Sequence, residues 1–463
     1  MIERTCDWII EVTGGTWAGN AVDRHRMIRG VSTDTRQLEP NQLYVPLCGE
    51  RFDGHRFIDD AIERGAAAAL WSQDRPVPEN REIPFILVPE PLLAMQQLAA
   101  RYREESGVKV VAVTGSNGKT TTKDLIATVL SVKYHVHKTK GNLNNHIGVP
   151  LTLLSMPEQT ETAVVEMGMN HAGEIEVLSR IARPDVAVIT NIGESHLEHL
   201  GSREGIAKAK LEIKEGLKEN GPLIFDGDEP LLRQFLKEDH HPQIRVGWGE
   251  ESDESPVDVQ IEGVRGMRFR SRKYQTEYYL PLMGRHNVKN SLLAVEVGRY
   301  LGMAESEIQE GLAAVKLTGM RLELKQAANG MKIIDDSYNA SPTSMRAALD
   351  LLSELEPGLK KWALLGDMRE IGPEEKMYHT DLGVYAVKKG IDRLYTLGER
   401  GKWIGEGAKS AVPVRPIVID HFDTIEEASD RLNREGNGDI LLLVKASRAV
   451  ELDRVIKKLT EGE

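Results

Sequence analysis

The stretch VVAVTGSNGKTTTKDLI, residues 110–126, decides the fold of the middle of the chain. An apolar run leads into a turn of small residues, and a helix-forming run starts at Gly118-Lys119-Thr120. A strand, a Gly-rich turn and a helix N-terminus together present backbone N–H groups and the positive end of the helix dipole to an anion. The pattern predicts a phosphate-binding loop rather than a plain Gly/Asn turn followed by a threonine cap.

The spacing of this loop differs from the common P-loop, in which a glycine and four further residues precede Gly-Lys-Ser/Thr. Here that first position is Val113, and the nearest glycine, Gly115, comes two positions later. Lys119 is nonetheless placed to reach the β- and γ-phosphates of a nucleotide, and the Thr120 hydroxyl is placed to bind Mg²⁺. The residues therefore predict a nucleotide site with a shortened loop.

The composition predicts a soluble protein of about three domains, at about 150 residues per domain. The chain has 463 residues, of which 40% are apolar and 28% charged. It contains no apolar run of the ~20 residues that a membrane span needs. The two cysteines form no CxxC motif and the N-terminus does not read as a secretory signal, so we expect a reducing cytoplasm. The net charge of −12 argues against nucleic-acid binding but not against anionic small ligands.

Alternating strands and helices predict three α/β domains in series, at 1–107, 108–318 and 319–463. The first closes with a helix that ends at Gly107. In the second, apolar strands such as TAVVEMG (162–168) predict a parallel sheet covered by helices on both faces. The third is expected to be a second open α/β sheet, with ligands bound in the clefts between the domains.

Other polar stretches are ambiguous when taken singly. Glu166 follows the second central strand, where a carboxylate either binds Mg²⁺ or is a surface acid. His196 stands in TNIGESHLEHLGS (190–202), and a lone histidine is more often structural than a ligand. Lys210 is one of four lysines on one helix, a pattern typical of a solvated face. STDTR (32–36) predicts either a turn cap or a phosphate contact.

Taken together, these motifs resemble those of the Mur ligase family, which builds the peptide stem of bacterial cell-wall precursors. The loop of that family is Thr-Gly-x-x-Gly-Lys-Thr-Thr, here TGSNGKTT (114–121), which accounts for the missing upstream glycine. GNLNNHIGVPLTLL (141–154), DDSYNASPTSMRAAL (335–349) and LGDMREIG (365–372) extend the resemblance along nearly the whole chain. The resemblance implies a P-loop-type central domain and a Rossmann-like C-terminal domain.

Within the family, the resemblance is strongest to the member that adds D-alanyl-D-alanine to UDP-N-acetylmuramoyl-tripeptide. It implies an ATP-dependent acid–amino-acid ligase of peptidoglycan synthesis, monomeric and located in the bacterial cytoplasm. The third-residue ligase of the family matches less well, because it carries Asp-Tyr-Ala-His-Thr-Pro where this chain has DSYNASP (336–342). It also carries an Asp-Asn-Pro-Arg motif that this chain lacks. A folylpolyglutamate synthase and, from another class, an ATP-gated binding protein remain alternatives.

The resemblance also implies roles for individual residues. Those that would hold the phosphates and adenine of ATP are Gly115, Ser116, Asn117, Gly118, Lys119, Thr120, Thr121, Asn287, Arg321 and Asn339. Those along the UDP-linked substrate are Ser32, Thr33, Arg36, Asn142 and Asn145. Two Mg²⁺ ions would be bound by Thr120, Glu166, His196 and Lys210, the last as a carbamate formed with CO₂. The catalytic set is then Lys119, Glu166, His196 and Lys210.

Two further expectations follow from the resemblance. The family pattern Lys-Gly-Ser-Arg appears here as Lys445-Ala446-Ser447-Arg448, which leaves the local backbone in question if it needs a glycine. The implied reaction passes through an acyl phosphate, which water would destroy. We therefore expect the third domain to close over the site, with movement about linkers near residues 107 and 318.

Overall fold

The computed structural model describes residues 1–49, 52–79 and 82–462. Three sheet systems follow one another along the chain, each flanked by helices. The α/β class and the arrangement in three sheet-based parts are confirmed.

The N-terminal part is built on a small mixed sheet with the strand order β2-β9-β8-β5-β4, in which β2 is antiparallel to β9. Two antiparallel pairs, β1 with β3 and β6 with β7, lie beside it. The strands are β1 Glu3–Thr5, β2 Thr16–Ala18, β3 Met27–Arg29, β4 Val31–Ser32, β5 Leu43–Tyr44, β6 Cys48–Gly49, β7 Phe52–Asp53, β8 Ala68–Ser72 and β9 Phe85–Val88. The helices are α1 Cys6–Thr13, α2 Ile58–Glu63 and α3 Pro91–Ser106.

The central part is built on a parallel sheet with the order β11-β12-β10-β13-β14-β15, followed by an antiparallel sheet β16-β17-β18. The strands are β10 Lys109–Thr114, β11 Val136–Lys138, β12 Thr162–Glu166, β13 Val186–Ile189, β14 Leu223–Asp226, β15 Gln243–Val246, β16 Pro256–Ile261, β17 Met267–Ser271 and β18 Glu277–Leu280. The helices are α4 Lys119–Leu130, α5 Gly148–Leu154, α6 Glu174–Ala182, α7 Leu197–Leu200, α8 Arg203–Leu211, α9 Pro230–Phe235, α10 Arg285–Tyr300 and α11 Glu305–Ala313.

The C-terminal part is a second α/β sheet with the order β19-β20-β24-β21-β22-β23, parallel except for β19 at its edge. The strands are β19 Glu323–Gln326, β20 Lys332–Asp335, β21 Lys360–Gly366, β22 Arg393–Leu397, β23 Val418–Phe422 and β24 Ile440–Lys445. The helices are α12 Pro342–Glu354, α13 Glu375–Lys388, α14 Gly401–Ser410, α15 Ile425–Glu435 and α16 Asp453–Glu461. Short 3₁₀ turns complete the chain at Ala21–His25, Thr35–Gln37, Gly54–Phe57, Glu212–Gly216, Gly263–Arg265 and Arg448–Val450.

Strand β10 has both of its faces buried, as its unbroken apolar run predicts. Val110 and Ala112 pack into a core shared with the N-terminal part, whereas Val111 and Val113 pack into a core formed with α4 and α10. No helix among the described residues is long and apolar enough to cross a membrane.

Helix α3 ends as predicted, because Gly107 adopts a left-handed conformation (φ 65°) directly after it. The side chain of Glu90 caps its other end by accepting hydrogen bonds from the amides of Leu92 and Leu93. The helix packs against α1 on one side and against α5 and α6 of the central part on the other. An apolar helix face buried between both parts makes a hinge at 107 costly.

A buried ion pair fixes this contact. Arg103 of α3 donates hydrogen bonds to the Ala182 and Arg183 carbonyl oxygens and to Asp185 Oδ2, at 2.6, 2.7 and 3.0 Å. Lys109 and Lys218 donate to Asp185 Oδ1. The side chains of Arg103 and Asp185 are only 5% and 7% exposed, so removing the charge of Asp185 would leave Arg103 buried without its counter-ion.

We expect Asp185→Asn to lower the free energy of unfolding by about 3 kcal/mol, because buried Arg103 loses its counter-ion. Urea denaturation followed by circular dichroism measures the change. Glu104→Gln is the matched control, since Glu104 pairs with Arg183 in a contact where both side chains are more than half exposed. Such a pair contributes at most about 1 kcal/mol. Equal effects of the two substitutions would contradict the assignment.

Candidate active site

The phosphate loop is the turn between β10 and α4. Gly115 has φ 149° and Gly118 has φ 80°, conformations that side-chain-bearing residues rarely adopt. A Cβ atom on Gly115 would lie 1.8 Å from Thr190 Oγ1, at the end of the neighbouring strand β13. The loop therefore needs glycine at both of these positions, for conformation and, at Gly115, for space.

The loop is anchored to the end of β13. The amides of Ser116 and Asn117 donate to the backbone oxygen and side-chain oxygen of Asn191, at 3.0 and 2.9 Å. Because these two amides already donate hydrogen bonds within the protein, fewer loop amides than predicted are free to bind phosphate. The first N–H groups of α4, which have no intrahelical partner, are the anion-binding groups that this geometry offers.

Lys119 lies folded over the same turn. Its Nζ donates to the carbonyl oxygens of Gly115 and Ser116, at 2.9 and 3.4 Å. Burial lowers the pKa of Lys119, and the nearby charge of Glu166 partly opposes this effect. A phosphate at the helix N-terminus would add further negative charge beside this ammonium.

Glu166 lies at the carboxyl end of β12, paired in register with Val113 of β10. Its Oε1 accepts a hydrogen bond from Asn144 Nδ2 at 2.8 Å, and its amide donates to Thr139 Oγ1. Its Oε2 is buried and has no hydrogen-bond partner among the described residues. A carboxylate oxygen held in this state suits a divalent cation, and Thr120 lines the same cavity.

His196 has a left-handed backbone (φ 64°) at the start of α7. Its Nδ1 lies 2.9 Å from Glu370 Oε2 of the C-terminal part, although the angle does not make this contact a hydrogen bond. Burial, followed by the positive charges of Lys119 and Lys210, lowers the pKa of His196 to about 3. A neutral imidazole is the form that binds metals.

Lys210 is 1% exposed, so the solvated-face interpretation of its helix does not hold at this position. Lys208, two residues earlier, is exposed. Burial, and next the charge of Lys119, lowers the pKa of Lys210 well below its usual value. A neutral amine is the form that adds to CO₂, and the resulting carbamate would bring a negative charge among these basic groups.

The C-terminal part closes the other side of a cavity of about 940 Å³. Arg321 Nη2 donates to Thr120 Oγ1 at 2.9 Å, and Ser341 Oγ donates to Asn117 Oδ1 at 3.0 Å. Lys445 Nζ donates to Asp336 Oδ2 at 2.6 Å. The cavity therefore has an anion-binding loop on one wall and cationic side chains on the other.

Most of the predicted nucleotide and metal residues line this cavity. They are Ser116, Asn117, Gly118, Lys119, Thr120, Thr121, Glu166, His196, Asn287, Arg321 and Asn339. Asn142, predicted to lie along the UDP-linked substrate, also lines the cavity. Gly115 and Lys210 lie behind the lining, Gly115 as part of the loop backbone and Lys210 as a buried neighbour of Lys119.

The remaining predicted residues lie outside the cavity and are engaged locally. Ser32 Oγ donates to the Asp34 carbonyl oxygen, and Arg36 pairs with the Asp34 carboxylate while its side chain is 85% exposed. Thr33 lies between them and is half-buried. Asn145 Oδ1 accepts from the amides of Ile147 and Gly148 at the start of α5. These local hydrogen bonds are those of residues that cap turns and helices. Contacts of these residues with a substrate remain a prediction.

Asn144 was not predicted as a site residue, but it lines the cavity and donates a hydrogen bond to Glu166. The sequence Asn142-Leu143-Asn144-Asn145 marks the segment but does not tell which asparagine points inward. It also left Ala446 in question; this residue is fully buried and is not among those with a left-handed backbone, so alanine is accommodated without strain.

The phosphate-binding loop and the cavity between the central and C-terminal parts are features of a nucleotide-dependent enzyme. Three family models match the chain: Mur ligase family, catalytic domain, over residues 27–103; Mur ligase middle domain over 113–298; and Mur ligase, glutamate ligase domain, over 320–448. The chain belongs to the Mur ligase family.

Individual relatives are similar to this chain over all or nearly all of its length. The chain is 48% identical over 464 residues to the UDP-N-acetylmuramoyl-tripeptide–D-alanyl-D-alanine ligase of Bacillus subtilis (strain 168), covering 100% of this chain and 99% of the relative. The crystal structure of MurF from Acinetobacter baumannii matches with a TM-score of 0.89 and 31% identity, over 100% and 99% of the two chains. MurF ligase from Thermotoga maritima in complex with ADP matches with a TM-score of 0.82 and 30% identity, over 94% and 97%.

We expect Gly115→Ala to weaken ADP binding by at least about a hundredfold, because the new methyl group displaces the loop from Thr190. Isothermal titration calorimetry measures the affinity, with circular dichroism to confirm folding. Gly107→Ala is the control, since Gly107 is also left-handed but a Cβ atom there meets nothing within 4 Å. The prediction fails if Gly115→Ala binds ADP as tightly as this control.

Proposed function

We propose that this chain joins D-alanyl-D-alanine to UDP-N-acetylmuramoyl-tripeptide with the hydrolysis of ATP to ADP and phosphate, in peptidoglycan precursor synthesis. The full-length likeness to ligases of that name carries the proposal. The cavity supports it, because a phosphate loop there faces cations from the C-terminal part. The expected route is attack of the tripeptide carboxylate on the γ-phosphate, then attack of the dipeptide amine on the acyl phosphate.

The chain contributes positioning and charge to this reaction rather than a nucleophile. The N-terminus of α4 and Lys119 hold the phosphates, and Asn287, which is buried in the cavity wall, holds the adenine. Arg321 and Asn339 approach from the C-terminal side. Closure of the C-terminal part over the cavity would exclude water from the acyl phosphate.

Thr120, Glu166, His196 and a carbamate on Lys210 form the proposed metal site. The orphaned Glu166 oxygen and the neutral imidazole of His196 support it. These residues would hold Mg²⁺, two ions in our proposal, which would supply positive charge to neutralise the transferring phosphate.

The UDP-linked substrate is proposed to lie between the N-terminal and central parts. Ser32, Thr33 and Arg36 would contact the UDP, and Asn142 and Asn145 the muramoyl peptide. We retain the division at 107 and 318 into a UDP-substrate domain, an ATP domain and a Rossmann-like ligase domain. We also propose that the enzyme is a monomer in the bacterial cytoplasm, with Mg·ATP and the two peptide substrates as its ligands.

The proposed reaction is tested by phosphate release from ATP with UDP-N-acetylmuramoyl-tripeptide. We expect release to require D-alanyl-D-alanine and not to respond to single amino acids or to glutamate. Stimulation by a single amino acid with the UDP-linked dipeptide would favour the third-residue ligase, and stimulation by glutamate with a folate would favour a folylpolyglutamate synthase. ATP binding that no acceptor converts into turnover would favour the ATP-gated binding protein.

Lys210→Arg should lower kcat by about a thousandfold, because a guanidinium cannot form the carbamate and places a permanent positive charge beside Lys119. Lys208→Arg, on the exposed side of the same helix, is the matched control and should retain activity. Carbon-13 NMR after incubation with labelled bicarbonate should show a carbamate signal in the wild type and in Lys208→Arg only. The same signal in Lys210→Arg would overturn the assignment.

A further inference from the structure

The linker that enters the C-terminal part, residues 314–322, runs along the first turns of α4. The Thr318 amide and hydroxyl both donate to Asp124 Oδ2, at 3.0 and 2.8 Å. Arg321 donates to Thr120 Oγ1 at 2.9 Å. Thr120 and Asp124 are four residues apart and share one face of the helix, so the linker is held at two points one helical turn apart.

Asp124 is an unusual group to find at this position, because it is fully buried on a helix that is packed on all sides. Its Oδ1 accepts from Lys138 Nζ at 2.7 Å, and Lys123 Nζ lies 3.5 Å away. Burial raises the pKa of Asp124, but Lys123 and the hydrogen bonds from Lys138 and Thr318 outweigh it and hold the pKa below its usual range. The carboxylate is therefore ionised, and its hydrogen bonds to Thr318 are of the strong, charge-assisted kind.

The same buried charges reach the active site. Lys123 is 1% exposed, and its Nζ lies 3.9 Å from Glu166 Oε2, the orphaned oxygen of the proposed metal site. Lys123 thus lies between Asp124, the carboxylate that holds the linker, and Glu166, the carboxylate of the proposed metal site. The phosphate-loop pattern assigns no role to Lys123 or to Asp124.

We propose that Asp124 and Thr318 are positioning residues for the ligase reaction: their hydrogen bonds hold the linker so that the C-terminal part lies over the phosphate loop. Lys123 connects this latch to Glu166. The proposal rests on the proposed function for its kinetic consequence, but the latch itself is a property of the fold. It places the pivot of the C-terminal part at Thr318, against the helix that binds the nucleotide.

Thr318→Val removes the hydroxyl hydrogen bond while keeping the shape of the side chain, and Thr318 is an exposed residue whose replacement spares the core. We expect kcat to fall about tenfold, the effect of losing one hydrogen bond to a charged group, with ADP affinity and melting temperature unchanged. Thr318→Ser keeps the hydroxyl and should restore kcat. Thr128→Val is the matched control, because the Thr128 hydroxyl binds the backbone oxygen of the same Asp124.

Small-angle scattering with Mg·ADP tests the latch without relying on ligase activity. We expect a larger radius of gyration for Thr318→Val than for the wild type and for Thr128→Val. Unchanged kcat and scattering in Thr318→Val would overturn the proposal, as would a parallel loss of ADP affinity and melting temperature. A wild type without ligase activity would refute the proposed function, while the scattering comparison would still decide on the latch.

Discussion

The burial of β10 on both faces is the constraint on which the rest of the molecule depends. Val110 and Ala112 on one side, and Val111 and Val113 on the other, leave the strand no freedom to shift or rotate. Its carboxyl end is therefore fixed, and Gly115 is pressed against Thr190 of the adjacent strand. The position of the phosphate loop, and of Lys119 four residues after Gly115, follows from this apolar packing together with the hydrogen bonds that join the loop to Asn191.

The electrostatics of the site are unbalanced in a way that suggests its ligands. Burial lowers the pKa values of Lys119, Lys210 and His196, and the positive charge of Lys119 lowers those of Lys210 and His196 further. Glu166 is the acid whose charge acts on Lys119, and one of its oxygens has no hydrogen-bond partner among the described residues. Buried basic groups in this state are stabilised by added anions, and a phosphate or a carbamate is such an anion. An anionic ligand bound here would therefore offset the excess positive charge of the site.

The sequence predicted the elements that depend on local chemistry. Gly107 after α3, the loop before Lys119 and the position of Glu166 at a strand end all follow from propensity and periodicity. Burial of charged residues could not be predicted in this way. Lys123 and Asp124 read as an ordinary polar turn of a helix, but the sheet and two further helices cover α4 on all sides. Helical periodicity tells which residues share a face, not what packs against it.

The sequence also could not tell which of several chemically equivalent residues lies in the site. Three asparagines between 142 and 145 have the same chemistry, and the backbone directs Asn144 to Glu166 while Asn145 caps α5. Only resemblance separated Lys210 from Lys208, because both lie on one helix and differ only in what covers them.

The two junctions between the parts of the chain differ in kind, and this difference determines where the molecule can open. The first buries an apolar helix face and the Arg103–Asp185 pair, whose exposure to water would be costly. The second joins across the cavity mainly through hydroxyl and amide hydrogen bonds, such as those from Ser341 to Asn117 and from Thr343 to Glu194, with Met283 as an apolar contact. Water can replace such hydrogen bonds at little cost. Movement about 318 is therefore compatible with the fold, whereas movement about 107 is opposed by the core itself.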